Sequence, residues 1–155
     1  MMNKSGRYNR LYDQIRQLLL KCENPVARMA TICADLHHNM PKFFWTGFYL
    51  LTDQRLIVSV YQGPVACMEL RRDKGVCWAS IQSGETIIVP DVNQFPDHIA
   101  CDARSKSEIV VPLRNGALEI MGVLDVDSTE TNAFDQTDAI WLEKITDLIY
   151  NVNNR

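Results

Sequence analysis

The chain of 155 residues is 46% hydrophobic, 8% aromatic and 23% charged, which fits one domain (1–155) and argues against disorder, collagen-like repeats and coiled coil. Its 16 Lys and Arg against 19 Asp and Glu leave a formal net charge of −3, without the basic stripe that a nucleic-acid binder carries. The longest near-continuous apolar run, residues 43–51, is too short to span a bilayer, and no apolar stretch follows the charges of MMNKSGRYNR, so a cytoplasmic domain is expected, neither membrane-bound nor exported.

Tyr8, Leu11, Tyr12, Ile15, Leu18, Leu19 and Cys22 recur at helical spacing. Asn24-Pro25 then supplies an N-cap and a proline at the first helical position. Val26, Met29, Ala30, Cys33, Leu36 and Met40 form the stripe of a second helix, which Pro41 stops. On these stripes Cys22 and Cys33 read as small core hydrophobes.

From Phe43 the period changes to two, predicting strands over 43–51 and 56–61 joined by a turn at 52–54. A short extended run follows at 65–70. Residues 75–82 read as a brief helix stopped by Ser83-Gly84, and 85–89 as a strand. A long irregular loop covers 92 to about 106, a length that within one domain is usually functional. Strands at 107–113 and 118–126 flank the hairpin signal Asn115-Gly116. A last helix runs from Asp135, its N-cap, to about 152, with Ile140, Trp141, Ile145 and Leu148 as its buried face. The order of elements predicts an α+β domain, an antiparallel sheet of about six strands with the N- and C-terminal helices on one face.

Five cysteines in a chain without an export signal make a poor disulfide framework. Three lie outside the helical stripes, as Cys67-x9-Cys77-x23-Cys101. Cys77 sits in the first turn of a helix, where unpaired N–H groups and the helix dipole favour a thiolate. Cys101 is deep in the long loop, three residues after His98, and Cys67 ends the turn that begins at Gln62-Gly63-Pro64. Redox chemistry, a structural zinc held by Cys67, Cys77, Cys101 and His98, and three unreactive buried thiols all remain open from spacing alone. The zinc reading lacks the closely spaced ligand pair usual in such sites.

Asp125 and Asp127 alternate in an apolar strand and so share one face, and Glu108 opens the neighbouring hairpin strand. Carboxylates gathered on one face repel, and burial raises at least one pKa, leaving an acid protonated at neutral pH. Acids pointing to solvent at the strand ends are the alternative. Trp45 and Tyr49 share a strand face around Gly47, which leaves the backbone accessible. They form either an aromatic wall for a small apolar group or ordinary sheet packing.

The motifs Trp45-x-Gly47-Phe48-Tyr49, Gln62-Gly63-x-x-Ala66-Cys67, Gly75-Val76-Cys77, Asp91-Val92, His98-Ile99-Ala100-Cys101-Asp102, Ser107-Glu108-Ile109-Val110 and Gly122-Val123-Leu124-Asp125-Val126-Asp127-Ser128 resemble, in order and spacing, those of the free methionine-(R)-sulfoxide reductases, a family of GAF-fold enzymes. The resemblance covers about residues 8–150. It implies that Cys101 attacks the sulfoxide sulfur and becomes a sulfenic acid, that Cys67 closes a disulfide with it, and that Cys77 is a third thiol able to join the exchange. Glu108, Asp125 and Asp127 match the acids that hold the substrate's ammonium and deliver a proton to its oxygen; Trp45 and Tyr49 match the pocket lining.

It further implies a homodimer with no bound cofactor and no metal. Electrons would come from thioredoxin, which NADPH and thioredoxin reductase keep reduced. A non-catalytic sensory GAF domain binding a small-molecule ligand is the alternative; such domains generally lack this cysteine and carboxylate set. The chain departs from the family at Trp78, where a glycine is usual and an indole is expected to narrow the route to Cys77. Residues 71–74 are more polar than usual, and the 114–118 hairpin is about one residue longer.

Overall fold

The computed structural model describes residues 2–98 and 101–154, with no description of the Asn154 side chain; Ile99 and Ala100 of the loop motif lie outside the described residues. Helix α1 (Lys4–Leu19) starts earlier than the apolar periodicity indicates, because Asn3 caps it by accepting from the Gly6 amide at 2.8 Å. Helix α2 (Pro25–Asn39) begins as the sequence predicts, with the Asn24 side chain accepting from the Val26 and Ala27 amides. Strands β1 (Trp45–Thr52) and β2 (Arg55–Gln62) meet in a two-residue turn, Asp53 and Gln54, whose positive φ values of 52° and 61° match the twist of a tight hairpin.

The predicted 65–70 strand shrinks to β3 (Glu69–Leu70). Helix α3 (Gly75–Ser83) ends at Gly84 in the left-handed conformation, and β4 (Ile87–Val89) follows. β5 (Ser107–Arg114) and β6 (Ile120–Ser128) form the second hairpin. Its Asn-Gly signal does not give a two-residue turn. Asn115 Oδ1 accepts from the Ala117 and Glu119 amides and spreads the connection over five residues, so β6 starts at Ile120 rather than Leu118. Helix α4 (Gln136–Asn151) carries a reciprocal cap in which Asp135 accepts from the Asp138 amide and Asp138 from the Asp135 amide.

The six strands form one sheet in the order β3-β2-β1-β6-β5-β4, every neighbouring pair antiparallel. Alternation divides its residues between two faces. Phe48, Ile109, Val111, Leu113, Leu124 and Val126 meet α1, α2 and α4 through Tyr8, Ile15, Leu36, Leu142 and Leu148. Each such fully buried side chain contributes about 1.5–3 kcal/mol relative to exposure. Trp45, Tyr49, Val110 and Val123 face the other way and pack with Val76 and Trp78 of α3. The terminal helices thus gather on one face as expected, while α3 covers the other.

Several stripe assignments are corrected. Cys22 lies beyond α1 and is exposed, whereas Cys33 is buried, which pushes its thiol up to about 12. Val26 and Ala30 lie on the exposed side of α2, and Arg28 is buried instead. The Arg28 guanidinium donates to the Leu19, Cys22 and Ile149 carbonyls, tying together the C-terminal ends of α1 and α4. On α4, Ile140 is exposed and Trp141 half-buried against Tyr8 and Tyr12; Ala139, Leu142 and Ile149 join Ile145 and Leu148 inside.

Candidate active site

A cavity opens on the α3 face of the sheet, lined among others by Trp45, Tyr49, Cys77, Cys101, Glu108, Asp125 and Asp127. Cross-strand register brings the acids together: Glu108 stands opposite Asp127, and Asp125 opposite Val110. Because all three side chains take the same side of the pleat, β5 and β6 deliver them to one spot. Glu108 and Asp125 are each 6% exposed and Asp127 is half-buried.

Burial pushes all three carboxyl groups upward. For Glu108, Asp125 and then Asp127 add repulsion, and hydrogen bonds to both complete the set, driving it well above the usual carboxylate range. Asp125 rises through burial but is held back by hydrogen bonds from Glu108 and Cys77. Glu108 and Asp127 are thus driven furthest upward, and Asp125, which accepts from Glu108, least. One oxygen, Asp125 Oδ1, is buried without any hydrogen-bond partner. A buried carboxylate oxygen left this way costs about 1–3 kcal/mol or more until a donor or cation meets it.

Cys67 and Cys101 form a disulfide across 34 residues, with their Cα atoms 5.6 Å apart. Cys101 is exposed and Cys67 half-buried. The loop that carries Cys101 is pinned at its base, where the Val92 amide donates to the Lys106 carbonyl at 2.8 Å and the Lys106 amide to the Ser128 carbonyl at 2.7 Å. Lys74, preceding α3, pairs with Asp97 of that loop at 3.3 Å. Asp102 is held down to about 2, chiefly by its bonds to Arg104, whose guanidinium also stacks over Phe44. With Cys67 and Cys101 joined, the four-ligand zinc set that included His98 is not assembled. His98 lines the cavity, and burial lowers its pKa.

The aromatic residues do more than form a wall. Trp45 and Tyr49 stack at 5.8 Å between ring centroids, and Tyr61 stacks on Trp45 at 5.2 Å. Trp45 Nε1 donates to the Pro64 carbonyl, and the Tyr49 hydroxyl to the Cys67 carbonyl, each at 3.0 Å. These bonds hold the turn that presents Cys67. Its entry needs Gly63, whose φ of +120° suits glycine. Gly47 does not leave its backbone accessible: a Cβ there would lie 2.5 Å from the Trp45 indole, which covers it. Sequence reasoning missed Tyr61, yet its pairing opposite Gly47 in the β1–β2 register leaves room for the ring stack.

Cys77 is a free, buried thiol in the first turn of α3. The expected thiolate is overturned, because burial comes first, then repulsion from Asp125, Glu108 and Asp127, and the thiol is pushed well up. A helix terminus stabilises a charge by about 0.3–1 kcal/mol, too little against desolvation and three acids. The Trp78 indole is 5% exposed, packs within the smaller core and donates to the Leu70 carbonyl at 3.4 Å.

A six-stranded antiparallel sheet, with helices on both faces and a cavity under α3, defines the GAF class, and residues 25–151 match the GAF-domain family model. The chain is 45% identical over 150 residues to GAF domain-containing protein A of Dictyostelium discoideum, covering 96% of this chain and 94% of that protein. It is 36% identical over 146 residues to the free methionine-R-sulfoxide reductase of Escherichia coli, covering 93% and 87%. The crystal structure of the Neisseria meningitidis free methionine-R-sulfoxide reductase, solved with its substrate, superposes with a TM-score of 0.92 at 35% identity, covering 99% of this chain and 92% of that one. The chain belongs to the free methionine-R-sulfoxide reductase family of GAF-domain proteins.

Proposed function

We propose that the protein is an oxidoreductase that reduces free L-methionine (R)-S-oxide to L-methionine, using a sulfenic acid at Cys101 and an intramolecular disulfide with Cys67. One observation carries the reading: a disulfide and a buried carboxylate oxygen without a partner border the same cavity. The disulfide is the state in which such a cycle ends, and the orphaned Asp125 oxygen suits the ammonium group of a free amino acid. A peptide-bound methionine sulfoxide has no such ammonium and would leave the acids unpaired.

In the proposed cycle the Cys101 sulfur attacks the sulfoxide sulfur while Glu108 protonates the oxygen. The oxygen passes to Cys101, giving the sulfide and a sulfenic acid. Cys67 then attacks the Cys101 sulfur, the S–O bond breaks, water leaves and the disulfide forms. Thioredoxin, kept reduced by NADPH and thioredoxin reductase, restores both thiols. Asp125 and Asp127 hold the ammonium, Trp45 and Tyr49 flank the methyl thioether, and Cys77 is a third thiol available for exchange. The protein works as a homodimeric, cytoplasmic enzyme and as one domain over its whole length.

The test is turnover of the separated free sulfoxide epimers with thioredoxin, followed by NADPH oxidation. The R epimer is consumed, the S epimer and peptide-bound sulfoxide are not, and Cys101→Ser is inactive. Consumption of neither free epimer would overturn the reading in favour of a ligand-binding GAF domain.

A further inference from the structure

Cys77 Sγ, one carboxylate oxygen of Glu108 and one of Asp125 lie within 4.8 Å of one another, all on buried residues. They come from three separate elements, α3, β5 and β6. The Cys77 thiol is not consumed by the disulfide, and Asp125 keeps its Oδ1 without a partner. The group is reached through the cavity that also borders His98 and Cys101.

An ammonium ion is satisfied by oxygen acceptors alone, so a thiol adds little to an ammonium seat. A sulfur beside two carboxylates is instead a ligand set that selects a zinc-class ion over magnesium or calcium. An ion bound at about 2.3 Å from sulfur and about 2.0–2.2 Å from each oxygen holds these atoms roughly 3–4 Å apart. The spacing, at most 4.8 Å, therefore needs only side-chain adjustment of about 1 Å.

We propose that Cys77, Glu108 and Asp125 form a binding site for one thiophilic divalent cation, occupied in competition with the substrate's ammonium. Binding breaks the S–H bond of Cys77 and the O–H bond of Glu108, forms a sulfur–metal and an oxygen–metal bond in their place and sends both protons to solvent, with no change of oxidation state. The metal site stands by itself; only the competition rests on the reductase reading.

The experiment titrates tag-free protein in its disulfide form with Co2+. One equivalent binds and produces the sulfur-to-cobalt charge-transfer absorption in the near ultraviolet. Cys77→Ser loses that band, Glu108→Gln weakens binding at least tenfold, and Cys22→Ser, which removes the exposed thiol, changes nothing. Absence of the band, its survival in Cys77→Ser, or its loss in Cys22→Ser overturns the site. On the unaltered protein, free L-methionine displaces Co2+, and Zn2+ raises the KM for sulfoxide while leaving kcat unchanged; a band indifferent to methionine overturns the shared seat. Should the protein reduce no sulfoxide, the cobalt titration still decides the metal site, so the two failures are distinguishable.

Discussion

Replacing Glu108 with glutamine separates the chemistry of the acid cluster from its cost. Glu108 is 6% exposed and driven well upward by burial, Asp125 and Asp127, whereas in the unfolded chain a glutamate titrates near about 4.3. A group raised on folding contributes stability that is complete below the unfolded value and is lost as pH rises through the folded one. Between the unfolded value and its raised folded value, Glu108 must take up a proton on folding, at about 1.36 kcal/mol for each pH unit. Glutamine has the same shape, can donate to Asp125 and takes up no proton. Since Asp127 shares the titration, the expected gain is about 1–3 kcal/mol at pH 7.5, shrinking to near zero at pH 4.5. Urea denaturation of the disulfide form at both pH values measures it, and the same variant loses turnover because an amide delivers no proton. A Gln variant less stable at pH 7.5, or a gap that does not change with pH, would refute the reasoning.

Tyr49→Phe removes the hydrogen bond to the Cys67 carbonyl, worth about 1 kcal/mol; disulfide closure, read by quenched single turnover, slows roughly fivefold while the first sulfoxide reduction keeps its rate. Gly47→Ala drives a methyl into the Trp45 indole and Tyr61, costing about 1–3 kcal/mol and raising the KM for sulfoxide in steady-state assays. Arg28→Met leaves the Leu19, Cys22 and Ile149 carbonyls without their shared donor, an expected loss of about 2–4 kcal/mol visible as a Tm drop of about 2–4 °C per kcal/mol.

Strand periodicity carried the most information. Asp125, Asp127 and Glu108 lie on one side of the sheet because a period of two leaves no other choice once β5 and β6 pair. The caps at Asn24 and Asp135 were equally legible, since their acceptors serve amides two or three residues away. Reasoning failed where the deciding neighbour is distant in sequence. Cys22 continues the spacing of α1, but the helix has ended by then. Arg28 looks like a surface cation until the ends of two other helices converge on it. The hydrogen bonds from Trp45 and Tyr49 to the turn before Cys67 depend on how residues 64–67 fold back over β1, which no periodicity encodes.

The error at Cys77 explains how one cavity can hold thiols of different character. Judged locally, the first turn of α3 favours a thiolate by at most about 2 kcal/mol. Each pKa unit corresponds to 1.36 kcal/mol, so that gain is spent within two units, while burial and three carboxyl groups all push the other way. The Cys77 thiol is therefore pushed upward, away from a thiolate, by burial first and then by the three acids. Cys101 stands on an exposed loop, joined to the acids only across the cavity. On the proposed reading this division is what sulfoxide reduction needs: a sulfur free to attack as thiolate at the edge, and protons stored inside where water cannot level them. Moving the nucleophile in among the acids would give it the same upward push that Cys77 receives.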